Sequence, residues 1–143
     1  KLILAGEGKL KLELQKLAKD LSISNSLIWK ERQNREGILQ LISASDVILS
    51  TSRVETFGMT IAEANAMGKP VICTDSGGVR DIVNHINGII TEQKVSSLVD
   101  GVNFIINNYH NYDSETIRQN TKDKFSEEII SNSLKKHYQK IIN

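Results

Sequence analysis

Only one of the 143 residues is a cysteine, Cys73. An internal disulfide framework is therefore excluded, and a reducing compartment suits the chain. Charge of one sign is also missing, since 18 Lys and Arg stand against 17 Asp and Glu, a net charge of +1. No basic stripe rises above its acidic neighbours, so the electrostatic footprint of a nucleic-acid binder is absent. No apolar run approaches the roughly 18 residues of a membrane span. The opening KLILAGEG is apolar but too short for a signal peptide, and it has no small-residue cleavage pattern. His85, His110 and His137 are scattered without ligand spacing, so no metal site is expected.

What is present suits one globular domain. Hydrophobic residues make up 39% of the chain, enough for one continuous core over residues 1–143. LILA (2–5) reads as a core strand cut close to its beginning, which suggests a piece of something longer. Leu10, Leu14, Leu17, Ala18 and Leu21 follow at helical spacing. SLIW is the next strand, and Ile38, Leu39 and Ile42 mark a helix over about 36–43. DVILS (46–50) and PVICT (70–74) are continuous apolar strands, a pattern of burial on both faces. A helix at about 58–67 lies between them, closed by Gly68 and the single proline, Pro70. After NGII come a helix at 96–107, a polar connection at 107–115 and a closing helix at about 127–142. Ser126 is its expected cap, Phe125 its staple onto Ile130, and Ile130, Leu134, Tyr138 and Ile141 its apolar stripe, read most simply as core, with exposure of part of it when the chain stands alone as the alternative.

This alternation predicts an α/β fold, a Rossmann-like, doubly wound parallel sheet with helices on both faces. Ligands of such sheets bind at the carboxyl ends of strands. Three loops qualify: GEGK (6–9), STSRVETFG (50–58) and TDSGG (74–78).

The helix after the second loop carries an acid, Glu63, where burial is expected. A buried carboxylate is costly unless paired or hydrogen-bonded. Two readings stay open. One is an ion pair with Arg53 or Arg80. The other is a ligand with a vicinal diol, such as ribose, bonded through the two carboxylate oxygens. Phe57, Gly58, Met59 and Thr60 form the first turn, where unpaired amides and the helix dipole favour an anion, and Gly58 lets a phosphate come close. Glu55 stands just outside the helix, on the ligand side of the loop.

The segment ETFGMTIAEA, with Glu55 first and Glu63 ninth, resembles the E-x-F-G-x-x-x-x-E-A signature of group 1, retaining, nucleotide-sugar-dependent glycosyltransferases of GT-B architecture. LILAGEGKLKLELQKLA, SASDVILSTSRVE, GKPVICTDSGGVRDIV, NGII and FSEEII resemble the surrounding segments of the same family, in order. The resemblance implies the C-terminal, donor-binding half of such an enzyme. Its parent transfers a sugar from a nucleoside diphosphate to an acceptor hydroxyl, in polysaccharide or glycolipid synthesis. Glu63 would hold the ribose hydroxyls. Glu55 would be catalytic, supporting positive charge at the reacting sugar. The amides at Phe57, Gly58, Met59 and Thr60 would meet the diphosphate or sugar, and Arg32 and Gln33 would flank the base. No cofactor or metal is implied, and the chain has no D-x-D motif. The acceptor domain and the first strand, with its phosphate-clamping Arg and Lys, would lie before Lys1, so the piece alone is not expected to turn over. The full-length protein would be cytoplasmic, with room for peripheral association with the inner membrane face. WKERQN replaces the family's usual glycine loop, which leaves the base undetermined. A non-catalytic sugar-nucleotide-binding module and a sugar-nucleotide epimerase of the same architecture are the alternatives. A phosphorylase would need a pyridoxal-binding lysine in a matching loop, and none is identified.

Other motifs have plainer readings. GEGK lacks the length and the Ser/Thr of a Walker loop, since Leu10 follows Lys9. DSGG ends a parallel strand without histidine and aspartate partners for a serine nucleophile, and its glycines read as permitting a tight, close-packed loop lining the crevice. Cys73 reads as core packing, and Lys9, Lys11, Lys16 and Lys19 as a solvated helix face.

Overall fold

A computed structural model of the chain describes residues 1–142. Asn143, the last residue of the domain read from the sequence, lies outside them. Five strands alternate with helices: β1 (Leu2–Ala5), α1 (Lys11–Asp20), β2 (Leu27–Lys30), α2 (Arg35–Ser43), β3 (Ile48–Ser50), α3 (Met59–Ala66), β4 (Val71–Thr74), α4 (Val79–Ile82) and β5 (Gly88–Thr91). Three further helices close the chain: α5 (Val95–Asn108), α6 (Ser114–Phe125) and α7 (Glu127–Ile142). All strand pairs are parallel, which gives the expected α/β class.

The strands are shared between two sheets, within two compact units. Residues 1–41 form the first unit, where β1 pairs with β2 from Leu2 opposite Leu27 to Ala5 opposite Lys30. Ala18 is its single buried apolar residue. From Ile42 onward the second unit holds the order β3-β4-β5, with Val71 of β4 set between Ile48 and Gly88.

β4 is buried at all four residues, as its unbroken apolar run requires. The same expectation fails for β3, which covers only Ile48–Ser50 and leaves Leu49 37% exposed. As an edge strand, β3 has only β4 beside it among the described residues. The core of this unit gathers Ile61 and Ala64 of α3, Val71, Ile72 and Cys73 of β4, Val79 and Ile82 of α4, Ile105 of α5 and Ile117 of α6.

α6 was not expected. Its sequence SETIRQNTKDKF buries only Ile117 and Thr121, too narrow a stripe for a periodicity signal. Asp113 caps it, accepting from the Thr116 N–H at 2.7 Å. α7 has the expected span, but its stripe is not core. Ile130, Leu134, Tyr138 and Ile141 are all exposed, Ile141 by 81%. The Ser126 carbonyl accepts from the Ile130 N–H at 3.0 Å, while its hydroxyl has no partner among the described residues. Among the described residues no helix is long and apolar enough to cross a membrane.

Candidate functional site

The loops leaving β3 and β4 are stitched together. The Glu55 N–H donates to the Ser76 carbonyl at 2.7 Å, and the Gly78 N–H donates to the Glu55 carbonyl at 3.0 Å. Upstream, the Thr74 hydroxyl donates to the Ser52 carbonyl at 2.5 Å. This close approach explains the glycine pair of TDSGG. A Cβ on Gly78 would lie 2.2 Å from the Thr56 oxygen, so no larger residue fits without moving the Glu55 loop. The reading of these glycines as packing devices agrees with that geometry.

α3 begins directly after this loop. Gly58 is buried at φ +100°, a left-handed conformation suited to glycine. A Cβ there would meet Ile61, Ile82 and Val79, so the space freed by its missing side chain faces the core. Conformation, rather than room for a phosphate on that side, is what demands glycine. The N–H groups of Phe57, Gly58, Met59 and Thr60 have no partner among the described residues. They present the donor end of the helix, as its first turn leads one to expect. At the other end, the Lys69 N–H bonds the Ala64 carbonyl and the Gly68 N–H the Asn65 carbonyl, both at 2.9 Å. Gly68 at φ +75° completes this Schellman closure.

Glu63 is half-buried rather than buried, and its carboxylate has no hydrogen-bond or ion-pair partner among the described residues. The ion-pair alternative is thereby removed. Arg80 instead binds Asp75, with Nε 2.8 Å from Oδ1, and that contact holds the Asp75 carboxyl below its usual range. Arg53 has no ion-pair partner among the described residues. Glu55 is likewise half-buried, and its carboxylate has no partner among the described residues.

Phe57, Met59, Ala62, Glu63 and Ala66 line one groove of about 750 Å³ with α6 and the first turn of α7. Arg118 and Lys122 are its basic residues. Glu55 and Thr60 lie outside its lining. The Phe57 ring is engaged edge-on with Phe125, their centroids 5.4 Å apart, which pins the start of α3 to the end of α6. Arg32 and Gln33 are carried by the first unit, in the loop after β2, where the Gln33 side chain donates to the Glu31 carbonyl at 2.9 Å. Among the described residues no three His, Cys, Asp or Glu side chains gather into a metal-holding group.

Sequence reasoning missed two polar residues around the site. Asn65, fully buried on α3, donates to the Lys69 and Asn87 carbonyls at 3.0 and 3.1 Å. Gln93 donates to the Arg53 and Asp75 carbonyls, both at 2.8 Å. A polar residue inside an otherwise apolar helix flags Asn65 in retrospect, whereas nothing in TEQK flags Gln93.

A parallel α/β core with an uncapped helix start after the carboxyl end of a strand is a common setting for anionic ligands. Comparison with known proteins makes this specific. The family model of glycosyl transferases group 1 matches residues 1–124, and the chain belongs to that family. A glycosyltransferase of Methanocaldococcus jannaschii is 28% identical over 142 residues, covering 98% of this chain and 33% of its own length. Anabaena HepE, solved with UDP-glucose, superposes with a TM-score of 0.78 and 26% identity, over 96% of this chain and 40% of its own. The lipopolysaccharide outer core galactosyltransferase WaaB shares the fold at a TM-score of 0.84 and 24% identity, over 98% and 41% of the two chains. The chain thus spans roughly a third of the length of the first of these relatives.

Proposed function

We propose that this chain is the donor-binding domain of a retaining glycosyltransferase, taking a nucleoside diphosphate sugar. The observation that carries it is the pair of half-buried carboxylates, Glu55 and Glu63, which flank the amides of Phe57–Thr60, all without a partner among the described residues. Such acids are placed at a cost unless a ligand supplies their donors. The diphosphate meets the free amides at the positive end of α3. Glu63 takes the two ribose hydroxyls. Glu55, fixed through its backbone on both sides, faces the sugar and stabilises the positive charge that builds at its anomeric carbon. HepE, a structural relative held with UDP-glucose, favours this ligand class. The acceptor, a sugar or lipid-linked glycan hydroxyl, is brought by a second domain elsewhere in the protein. The donor phosphates need no metal here, since amides and basic side chains neutralise them.

The test is a backbone-amide NMR titration of the chain with UDP, GDP and ADP at millimolar concentration. Saturable shifts at Phe57–Thr60 and Glu63 for one base, unchanged by EDTA, are expected. Absence of shifts with all three, repeated on the full-length protein, would overturn the reading.

A further inference from the structure

The donor-site reading leaves one exposed residue unexplained. Gln93 stands in the three-residue turn between β5 and α5, and its side chain points back across two neighbouring loops. Its single Nε2 reaches the Arg53 carbonyl in the loop after β3 and the Asp75 carbonyl in the loop after β4, each at 2.8 Å. A primary amide has two N–H groups, so both bonds are made at once. Among the described residues no other donor reaches either carbonyl. Arg53 lies two residues before Glu55, and Asp75 one residue before Ser76, the acceptor of the Glu55 N–H.

We propose that Gln93 is a positioning residue, a two-pronged clamp from the third loop that fixes the Glu55 loop against the Gly77–Gly78 loop and so sets where the Glu55 carboxylate stands. The argument is one of degrees of freedom. Thr74 ties Ser52 and Ser76 ties Glu55, but among the described residues Arg53 between them is held from outside these two loops only by Gln93. Without the clamp, the segment 53–54 has no hydrogen bond across to either neighbouring loop among the described residues. Val54, 80% exposed, gives it no apolar anchor. The loop then opens more often, and the donor sugar meets a carboxylate spread over more positions. This rests on the donor-site reading for its consequence, but not for the clamp itself.

Gln93→Met keeps the length and bulk of the side chain and removes both donors. A role in packing alone predicts wild-type behaviour for this variant. The clamp predicts amide hydrogen exchange about fivefold faster or more at Glu55 and Gly78, with Ile72 and Ile105 unchanged. Wild-type exchange at Glu55 and Gly78, or equal acceleration throughout the chain, would overturn it. The second arm is turnover by the full-length protein, read beside its UDP affinity. Gln93→Met is expected to lower turnover about fivefold or more with UDP affinity little changed, the same split expected at Glu55. Faster exchange with wild-type turnover would overturn the positioning role and leave a mere loop tie. A wild-type chain that ignores all nucleotides would sink the donor-site reading alone, because the exchange arm still decides the clamp.

Discussion

At the scale of single residues, the acids divide into two kinds. Asp75 holds Arg80, Glu92 holds Lys94, Glu115 holds Arg118 and Asp113 caps α6. Glu55 and Glu63 hold nothing among the described residues, though they are the more buried of the set apart from Asp75. Glu63→Ala is expected to weaken nucleotide binding about tenfold or more, as loss of charged hydrogen bonds does, while the melting temperature stays within a degree or two. Unchanged affinity in the same titration would remove the ribose role. Glu55→Gln in the full-length protein should lower turnover far more than nucleotide affinity, and equal losses would make Glu55 a binding group only. Cys73 supplies a control away from the site. Burial, and then the nearby Asp75 carboxylate, push its thiol up to about 11 from 9.0. The folded state therefore favours the protonated thiol, and its contribution to stability is present below the unfolded value and fades as pH rises toward 11. Maleimide labelling at pH 8 should be about a hundredfold slower in the native chain than in urea. Equal rates would mean that β4 opens freely.

At the scale of elements, the site depends on backbone packing that single side chains do not reveal. Gly78→Ala keeps an ordinary φ but brings a methyl against the Thr56 carbonyl, 2.2 Å away. Denaturant unfolding should show a loss of about 1–3 kcal/mol, the usual cost of forced overpacking. Resonances of Thr56 and Phe57 should move with it, and a variant as stable as wild type would contradict the close approach. α6 depends on its cap. The bonds from Thr116 hold the Asp113 carboxyl below its usual value. A depressed folded pKa gives stability that is present above the unfolded value and lost as pH falls through the folded one. The difference in melting temperature between wild type and Asp113→Ala should therefore be full at neutral pH and shrink below about pH 4. A difference independent of pH would assign the effect to something other than the ionised cap.

At the scale of the whole molecule, burial is uneven. The second unit carries a core of isoleucines and valines, while the first buries Ala18 alone among its apolar residues. β1 and β2 amides should accordingly exchange faster than those of β4. α7 was the sharper departure. Its apolar stripe satisfies helical periodicity but meets solvent over most of its length. Leu134→Gln should change stability by no more than about 0.5 kcal/mol, whereas Ile105→Ala, with no exposed surface, should cost about 3 kcal/mol.

The amino-acid order alone determined the strand–helix alternation, because apolar runs and helical spacing are local properties of the chain. It also determined the stop of α3, because Gly68 sits where the backbone must turn left-handed, whereas the left-handed φ of Gly58 came only with the structure. The signature glutamates and their family were legible for the same reason, being a short pattern with fixed spacing. Tertiary structure decided what depends on neighbours from distant sequence. It gave Arg80 to Asp75 and left Glu63 without an ion-pair partner among the described residues, left β3 with only β4 hydrogen-bonded to it among them, and built α6 from a segment with almost no apolar stripe. It also brought Gln93 across 40 residues to the Arg53 carbonyl. Periodicity reports which face of an element is apolar, but only packing decides what, if anything, covers it.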